Sequence, residues 1–244
     1  MSLYEKIAAK AERNEILFHL GKATQLSLLK LKGLVSFGRS GVIADYFKTH
    51  PVRKLQLGSG QKLLDGWLNT DCSLVFKSKC FLDVAGRFPF EDNSFDFVFT
   101  EHLIEHLVYP EGFAMMQECY RVLKPGGSLR VACPDLQIIT GLYAAEKTEA
   151  QKQYIKTMVD ACLPHIRIYK ESFVINNAVR NWGHKFLYDQ ETLAAAMKSI
   201  GFADVKRYAP CESDIPDLQG LESHGPGYEA KCFETLVLQA KRPN

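Results

Sequence analysis

Gly58-Ser59-Gly60 follows directly on Arg53-Lys-Leu-Gln-Leu57, a run that reads as a short strand. Glycines at such a turn let the backbone approach a nucleotide-like ligand with no side chain in the way. Gly66-Trp-Leu-Asn-Thr-Asp71 and Cys80-Phe-Leu-Asp83 read as two further short strands, each ending in a carboxylate. An acid at the end of the second strand can accept both hydroxyls of a ribose, and the third strand ends beside a place for an adenine edge. A fourth strand starts at Phe95 and leads to Thr100-Glu-His102. Singly, the glycine turn is a common loop and Asp71 or Asp83 a common turn or cap residue. Jointly and in this order they line the sheet edge where open α/β sheets bind ligands.

His102-Leu-Ile-Glu-His106 also fits the H-x-x-E-H pattern of inverted zinc peptidases, two histidines with a glutamate that could activate water. The context speaks against it: a buried strand precedes the pattern, Pro110 interrupts the turn it sits on, and no third ligand stands out. No metal is expected.

The elements that must position these groups are legible around them. Phe95, Phe97, Val98 and Phe99, delivered by the turn Glu91-Asp92-Asn93-Ser94, have the look of a fully buried strand. From Phe113, Met116, Tyr120 and Leu123 recur at spacings of three and four, so they share a helix face. Pro125-Gly126-Gly127 is expected to stop that helix, and Leu129 to Cys133 to restart a strand. Strand, helix and strand in this order make a right-handed crossover of a parallel sheet. The first crossover is different: only 12 residues lie between Gly58 and Asp71, which predicts a loop or single turn in place of a helix.

After Ala132-Cys-Pro-Asp135, the stretch to Tyr188 is too long for an ordinary connection and predicts an insertion, with helices at 136–146 and 148–163. It carries Asn176, Asn177, Arg180, Asn181, Trp182, His184 and Lys185, polar groups around one Trp that suit a sugar-like ligand. Asp189 is expected to cap a helix that ends at Ile200 and Gly201. Val205–Tyr208 and Phe233–Ala240 read as a final antiparallel pair. The connection between them, with Asp214, Asp217, Glu222, His224 and Gly225-Pro-Gly227, is long enough to form another wall of a site.

At 46% hydrophobic and 24% charged residues, the composition is that of an ordinary soluble domain. A net charge of +2 gives no reason to expect nucleic acid. Seven widely spaced cysteines, an odd number without a C-x-x-C pair, indicate reduced thiols and a cytoplasmic setting. No run has the length of a membrane span, and no signal-peptide core is seen. Residues 3–20 and 23–48 read as helices, an N-terminal extension over 1–50. It has no acidic residue between Glu15 and Asp45 and several lysines among leucines. A packed helix with solvated lysines is the simpler reading, and weak contact with an anionic membrane surface or a lipid-linked substrate the alternative.

The sequence resembles the class I S-adenosylmethionine-dependent methyltransferases, in particular those with a core of the methyltransferase type 11 kind. The likeness rests on Leu57-Gly-Ser-Gly60, Asp71, Asp83, Phe88-Pro-Phe-Glu-Asp-Asn-Ser-Phe-Asp96, Glu101-His-Leu-Ile-Glu-His-Leu107 and Arg121-Val-Leu-Lys-Pro-Gly-Gly127. It implies an α/β fold over 51–244, a Rossmann-like seven-stranded sheet, mostly parallel, with an antiparallel last strand, 135–188 being a substrate-side insertion. It also implies S-adenosylmethionine as cofactor. The turn Leu57, Gly58, Ser59 and Gly60 would approach its methionine part, Asp71 its ribose, and Asp83 with Val84 its adenine. Thr100 and His102 would lie beneath the sulfonium. Two departures stand out: Gln56 replaces the usual acid before the first glycine, and Lys62 the third glycine.

A sulfonium methyl needs only an aligned nucleophile, a dry site and an outlet for one proton. His102, His106, His184 and Asp135 could take that proton; His102 is preferred for its place at the ligand edge, and His184 comes second. The expected reaction is methyl transfer to oxygen or nitrogen of a small-molecule or glycan-type acceptor. The alternatives are a methyltransferase-like protein that binds cofactor or partner without catalysis, and, behind it, the zinc hydrolase.

Overall fold

A computed structural model describes residues 37–72, 80–163, 165–222 and 232–244. The chain divides into two compact units, Met1–Tyr46 and Phe47–Asn244. Of the first, the described part is the beginning of helix α1 (Phe37–Thr49). The helix expected over 3–20 and the earlier part of the one over 23–48 lie outside the described residues.

The second unit is built on strands β1 (Lys54–Leu57), β2 (Leu68–Asp71), β3 (Cys80–Phe81), β4 (Phe95–Glu101), β5 (Leu123–Pro134), β6 (Ala203–Tyr208) and β7 (Thr235–Lys241). They form one seven-stranded sheet in the order β3-β2-β1-β4-β5-β7-β6. Pairings from β3 through β5 are parallel, and β7 runs antiparallel to both neighbours. The central strands are covered on both faces: Leu55, Leu57, Phe95, Val98, Phe99, Leu129 and Val131 are fully buried. That burial explains why their sequences are nearly continuous in apolar residues.

Between β1 and β2 the chain makes only a turn, closed by Lys62 N–H donating to Ser59 O at 2.9 Å, as the short spacing predicts. Helix α2 (Tyr109–Val122) starts with Pro110 in its first turn, where its missing N–H costs nothing, and buries Gly112, Met115, Met116, Cys119 and Val122. Its end differs from expectation. Extended backbone begins at Leu123 without a gap, and Pro125-Gly126-Gly127 belongs to β5 as a register break between Leu123, opposite Phe95, and Ser128, opposite Phe97. The glycines are needed there because a Cβ on Gly127 would lie 2.9 Å from Asp96 O and Lys124 O.

The long segment after β5, expected to be an insertion, holds among its described residues three helices, α3 (Leu136–Gly141), α4 (Glu149–Cys162) and α5 (Glu171–Arg180). It has its own small core of Ile139, Leu142, Tyr154, Ile155, Val159, Val174 and Ala178. Its two ends meet: Asp135 and Tyr188 form a parallel bridge, and Leu136 N–H donates to Tyr188 O at 2.8 Å. Helix α6 (Gln190–Ile200) then runs from the Asp189 cap, whose carboxylate accepts from Thr192 N–H at 2.7 Å, to Gly201 at φ 117°. Among the described residues no helix is long and apolar enough to cross a membrane.

Candidate functional site

The glycine turn sits at the carboxyl end of β1, and three contacts determine its shape. Ser59 N–H donates to Thr70 O at 2.9 Å. Gly60 N–H donates to Asp71 Oδ2 at 2.9 Å, which joins the turn to the acid at the tip of β2. Gly58, at φ 64°, leaves room for Leu103: a Cβ there would be 2.9 Å from Leu103 Cδ1. The turn is therefore packed against the segment that carries His102. Gly60 has φ 51°, and a Cβ added to it meets nothing within 4 Å among the described residues.

The turn and Asp71 are joined at neighbouring strand tips, and the two acids play different parts. Asp71 is bonded to the turn itself. Strand β3 pairs with β2 only through Cys80 and Phe81, so Asp83 lies two residues beyond it, where its Oδ1 accepts from Ala85 N–H at 3.1 Å. Val84 is buried beside it in sequence. Leu57 and Thr100 are register partners on β1 and β4, both fully buried.

His102-Leu-Ile-Glu-His106 is not on a regular α-helix. His102 follows β4 directly in a left-handed conformation, φ 47°, and Ile104–His106 form a single 3-10 turn. That turn brings Glu105 back onto His102, whose Nδ1–H donates to Glu105 Oε1 at 3.1 Å. Glu105 is fully buried. Burial lowers the histidine's basicity, but the Glu105 bond and charge, with Glu101 and Glu234 behind them, carry it above the ordinary value. Burial likewise opposes ionisation of Glu105, yet the His102 bond and charge hold its carboxyl below the usual range. His102 Nε2 is buried with no hydrogen-bond partner. Sequence reading missed this pairing of His102 with Glu105, although the spacing of three could have suggested it.

His184 arrives from the end of the insertion. Its ring lies 5.0 Å from that of His106, centre to centre, and its Nδ1–H donates to Ala178 O at 2.6 Å. His102 and His184 are therefore both brought to the turn after β4. Asp135 is fully buried, caps α3 through Gln137 N–H at 3.0 Å, and lies 2.9 Å from the Arg207 guanidinium. The polar cluster of the insertion is only partly directed outward. Asn177 is buried and accepts from Asn181 Nδ2, whereas Trp182 is exposed. Cys119 and Cys133 are fully buried, and burial pushes both thiols up, away from thiolate chemistry.

A parallel sheet in this order with one reversed strand, and a glycine turn bonded to the acid of the second strand, defines a Rossmann-like class I methyltransferase domain. Residues 69–131 match the family described as "Methyltransferase domain". That match sets a methyltransferase domain over the middle of the sheet, from β2 into β5, and a domain of this kind takes its methyl group from S-adenosylmethionine. No curated protein matches the sequence. Solved structures similar to it include an S-adenosylmethionine-dependent methyltransferase from Mesorhizobium loti, with 15% identity over 78% of this chain and 91% of that one, at a TM-score of 0.48. Another is from Archaeoglobus fulgidus, with 15% identity over 82% and 89% of the two chains and a TM-score of 0.46. A third is a phosphoethanolamine N-methyltransferase of Haemonchus contortus with S-adenosyl-L-methionine, at 16% identity, 84% of this chain, 53% of that one and a TM-score of 0.45.

The residues present fit an adenosyl group on two counts. Among the described residues space is open over Gly60, and Ser59 Oγ and Thr100 Oγ1 are buried without hydrogen-bond partners, as side chains reserved for a ligand would be.

Proposed function

We propose that this enzyme methylates an oxygen or nitrogen of a small-molecule or glycan-type acceptor. In this reading residues 51–244 form the methyltransferase domain and 135–188 its substrate-side insertion. The bound cofactor supplies an electrophilic methyl group on a sulfonium. Leu57, Gly58, Ser59 and Gly60 hold its methionine part by backbone, Asp71 its ribose, Asp83 and Val84 its adenine end, and Thr100 lies under the reacting atoms. His102 takes the acceptor's proton at Nε2, since Glu105 accepts the proton on Nδ1 and so leaves the lone pair on Nε2. The exposed Trp182 suits the apolar face of a sugar ring.

The observation that carries the reading is the buried, unpartnered Nε2 of His102, oriented by a buried carboxylate and joined through Leu103 to the glycine turn. A panel of hydroxylated and aminated acceptors, glycans among them, incubated with methyl-labelled cofactor tests it. Label transferred to one acceptor class by the wild type and not by His102→Asn is the expected result. Equal transfer by both removes His102 from the role.

A further inference from the structure

Three metal-ligating side chains meet at the turn after β4. One ligand atom each from Glu105, His106 and His184 lies within 4.8 Å of the other two. The sequence offers His102 and His106 as a pair and no third partner. Folding changes the set: His102 is engaged with Glu105, and His184 comes in from the far end of the insertion.

Several features prepare the cluster for an ion. Glu105 is fully buried; its Oε1 holds His102, while its Oε2 is buried with no hydrogen-bond partner. A buried carboxylate oxygen left unsatisfied is costly, and a cation would offset that cost. The Nδ1–H of His184 is bonded to Ala178 O at 2.6 Å, so the lone pair is on Nε2. A backbone carbonyl that sets the tautomer in this way is the usual outer partner of a metal-bound histidine. The backbone holds the two sides together: Lys185 and Phe186 N–H groups donate to the Glu105 carbonyl at 2.7 and 3.3 Å. The turn that delivers His184 passes through Trp182 at φ 64° and Gly183 at φ 79°. A left-handed Trp is strained, and such strain persists where its surroundings require it.

We propose that Glu105, His106 and His184 bind one divalent transition-metal ion of the zinc class, with the remaining coordination positions open to water or to an oxygen of the acceptor. Two imidazoles and one carboxylate are a known ligand set for such ions when a position is kept open. Donors at 2.0–2.2 Å from zinc stand about 3.4 Å apart in a tetrahedron, so the site closes when the two half-buried imidazoles rotate inward. The acceptor's share in this rests on the methyltransferase reading; ion binding does not.

The test is calorimetry on the full chain after treatment with EDTA. Wild type, His106→Ala and His184→Ala are titrated with ZnCl2 and, separately, with S-adenosylhomocysteine. One zinc per wild-type chain is expected, with affinity lower by about 10–100-fold or more in each variant and S-adenosylhomocysteine affinity unchanged. His184→Cys, which keeps a zinc ligand at the position, should restore binding, as a misfolded variant would not. No zinc bound by the wild type, or equal affinity in His184→Ala, overturns the site. Zinc binding at these residues without any S-adenosylhomocysteine binding would sustain the ion site and sink the methyltransferase reading.

Discussion

Lys185 donates its backbone N–H to the carbonyl oxygen of Glu105 at 2.7 Å, which ties the end of the insertion to the turn after β4. A second tie lies at its base, where Asp135 pairs with Tyr188. A segment of this length that simply looped over the sheet would be free to swing. Held at both places, it presents His184 to His106 as part of the same rigid edge.

Gly58→Ala should weaken the glycine turn in two separable ways. The left-handed φ of 64° disfavours any Cβ by roughly 1 kcal/mol, and the new methyl would press on Leu103 at 2.9 Å. We expect weaker S-adenosylhomocysteine binding by calorimetry and a lower melting temperature. Adding Leu103→Ala relieves the steric part only, so the double variant recovers some stability and not all of it.

His102→Asn keeps a residue type that tolerates a left-handed backbone, here φ 47°, while it removes the imidazole. Turnover should fall by about 10²–10⁴-fold, with S-adenosylhomocysteine affinity nearly unchanged. Glu105→Gln should also depress kcat, because the amide no longer favours a donating Nδ1 on His102. Single-turnover rates with the identified acceptor check both.

Arg121 gathers the loop before β4. It bonds Glu118 at 2.6 Å, Asp92 at 2.8 Å, and the carbonyls of Phe90 and Phe88 at 2.8 and 3.2 Å. Arg121→Ala should cost about 1.5–3 kcal/mol in urea unfolding, and Arg121→Lys should recover only part, since a lysine cannot match the planar fork. The effect should depend on pH. The hydrogen bond from Arg121, foremost, holds the Glu118 carboxyl below its usual value of 4.5. A carboxylate depressed in the folded state stabilises above its unfolded pKa and loses that contribution as pH falls through the folded one. The gap between wild type and Arg121→Ala should therefore be full at neutral pH and shrink below about pH 4.

Arg130 and Glu222 form a fully desolvated pair, with Nε to Oε1 at 2.6 Å, and Glu222 also accepts from Cys211 N–H at 2.7 Å. Removing one partner leaves a buried charge without its counterion, at a cost of about 3–5 kcal/mol. Arg130→Met and Glu222→Leu should each destabilise severely, and their combination should restore much of the loss, as read by chemical denaturation.

The order of elements is largely legible in the sequence. Buried parallel strands announce themselves by apolar runs such as Phe95 to Phe99, and the Asp189 cap and Gly201 stop are local signals with local causes. The Pro125-Gly126-Gly127 break reads as a helix stop because helix termination and a strand irregularity use the same residues. Only pairing with Asp96 and the facing strand distinguishes them. The role of Asp83 is harder to read for a similar reason, since the length of β3 depends on β2 beside it.

By itself the amino-acid sequence determined the order of the strands and where the glycine turn, Asp71 and His102 fall along it, because strand propensity and turn chemistry act between near neighbours. The tertiary structure alone decided that Glu105 orients His102 and that His184 joins His106. The second pairing joins segments far apart in the chain and needs the segment before α6 to pack on the sheet edge; the first is local in sequence but depends on the 3-10 turn that the folded edge imposes.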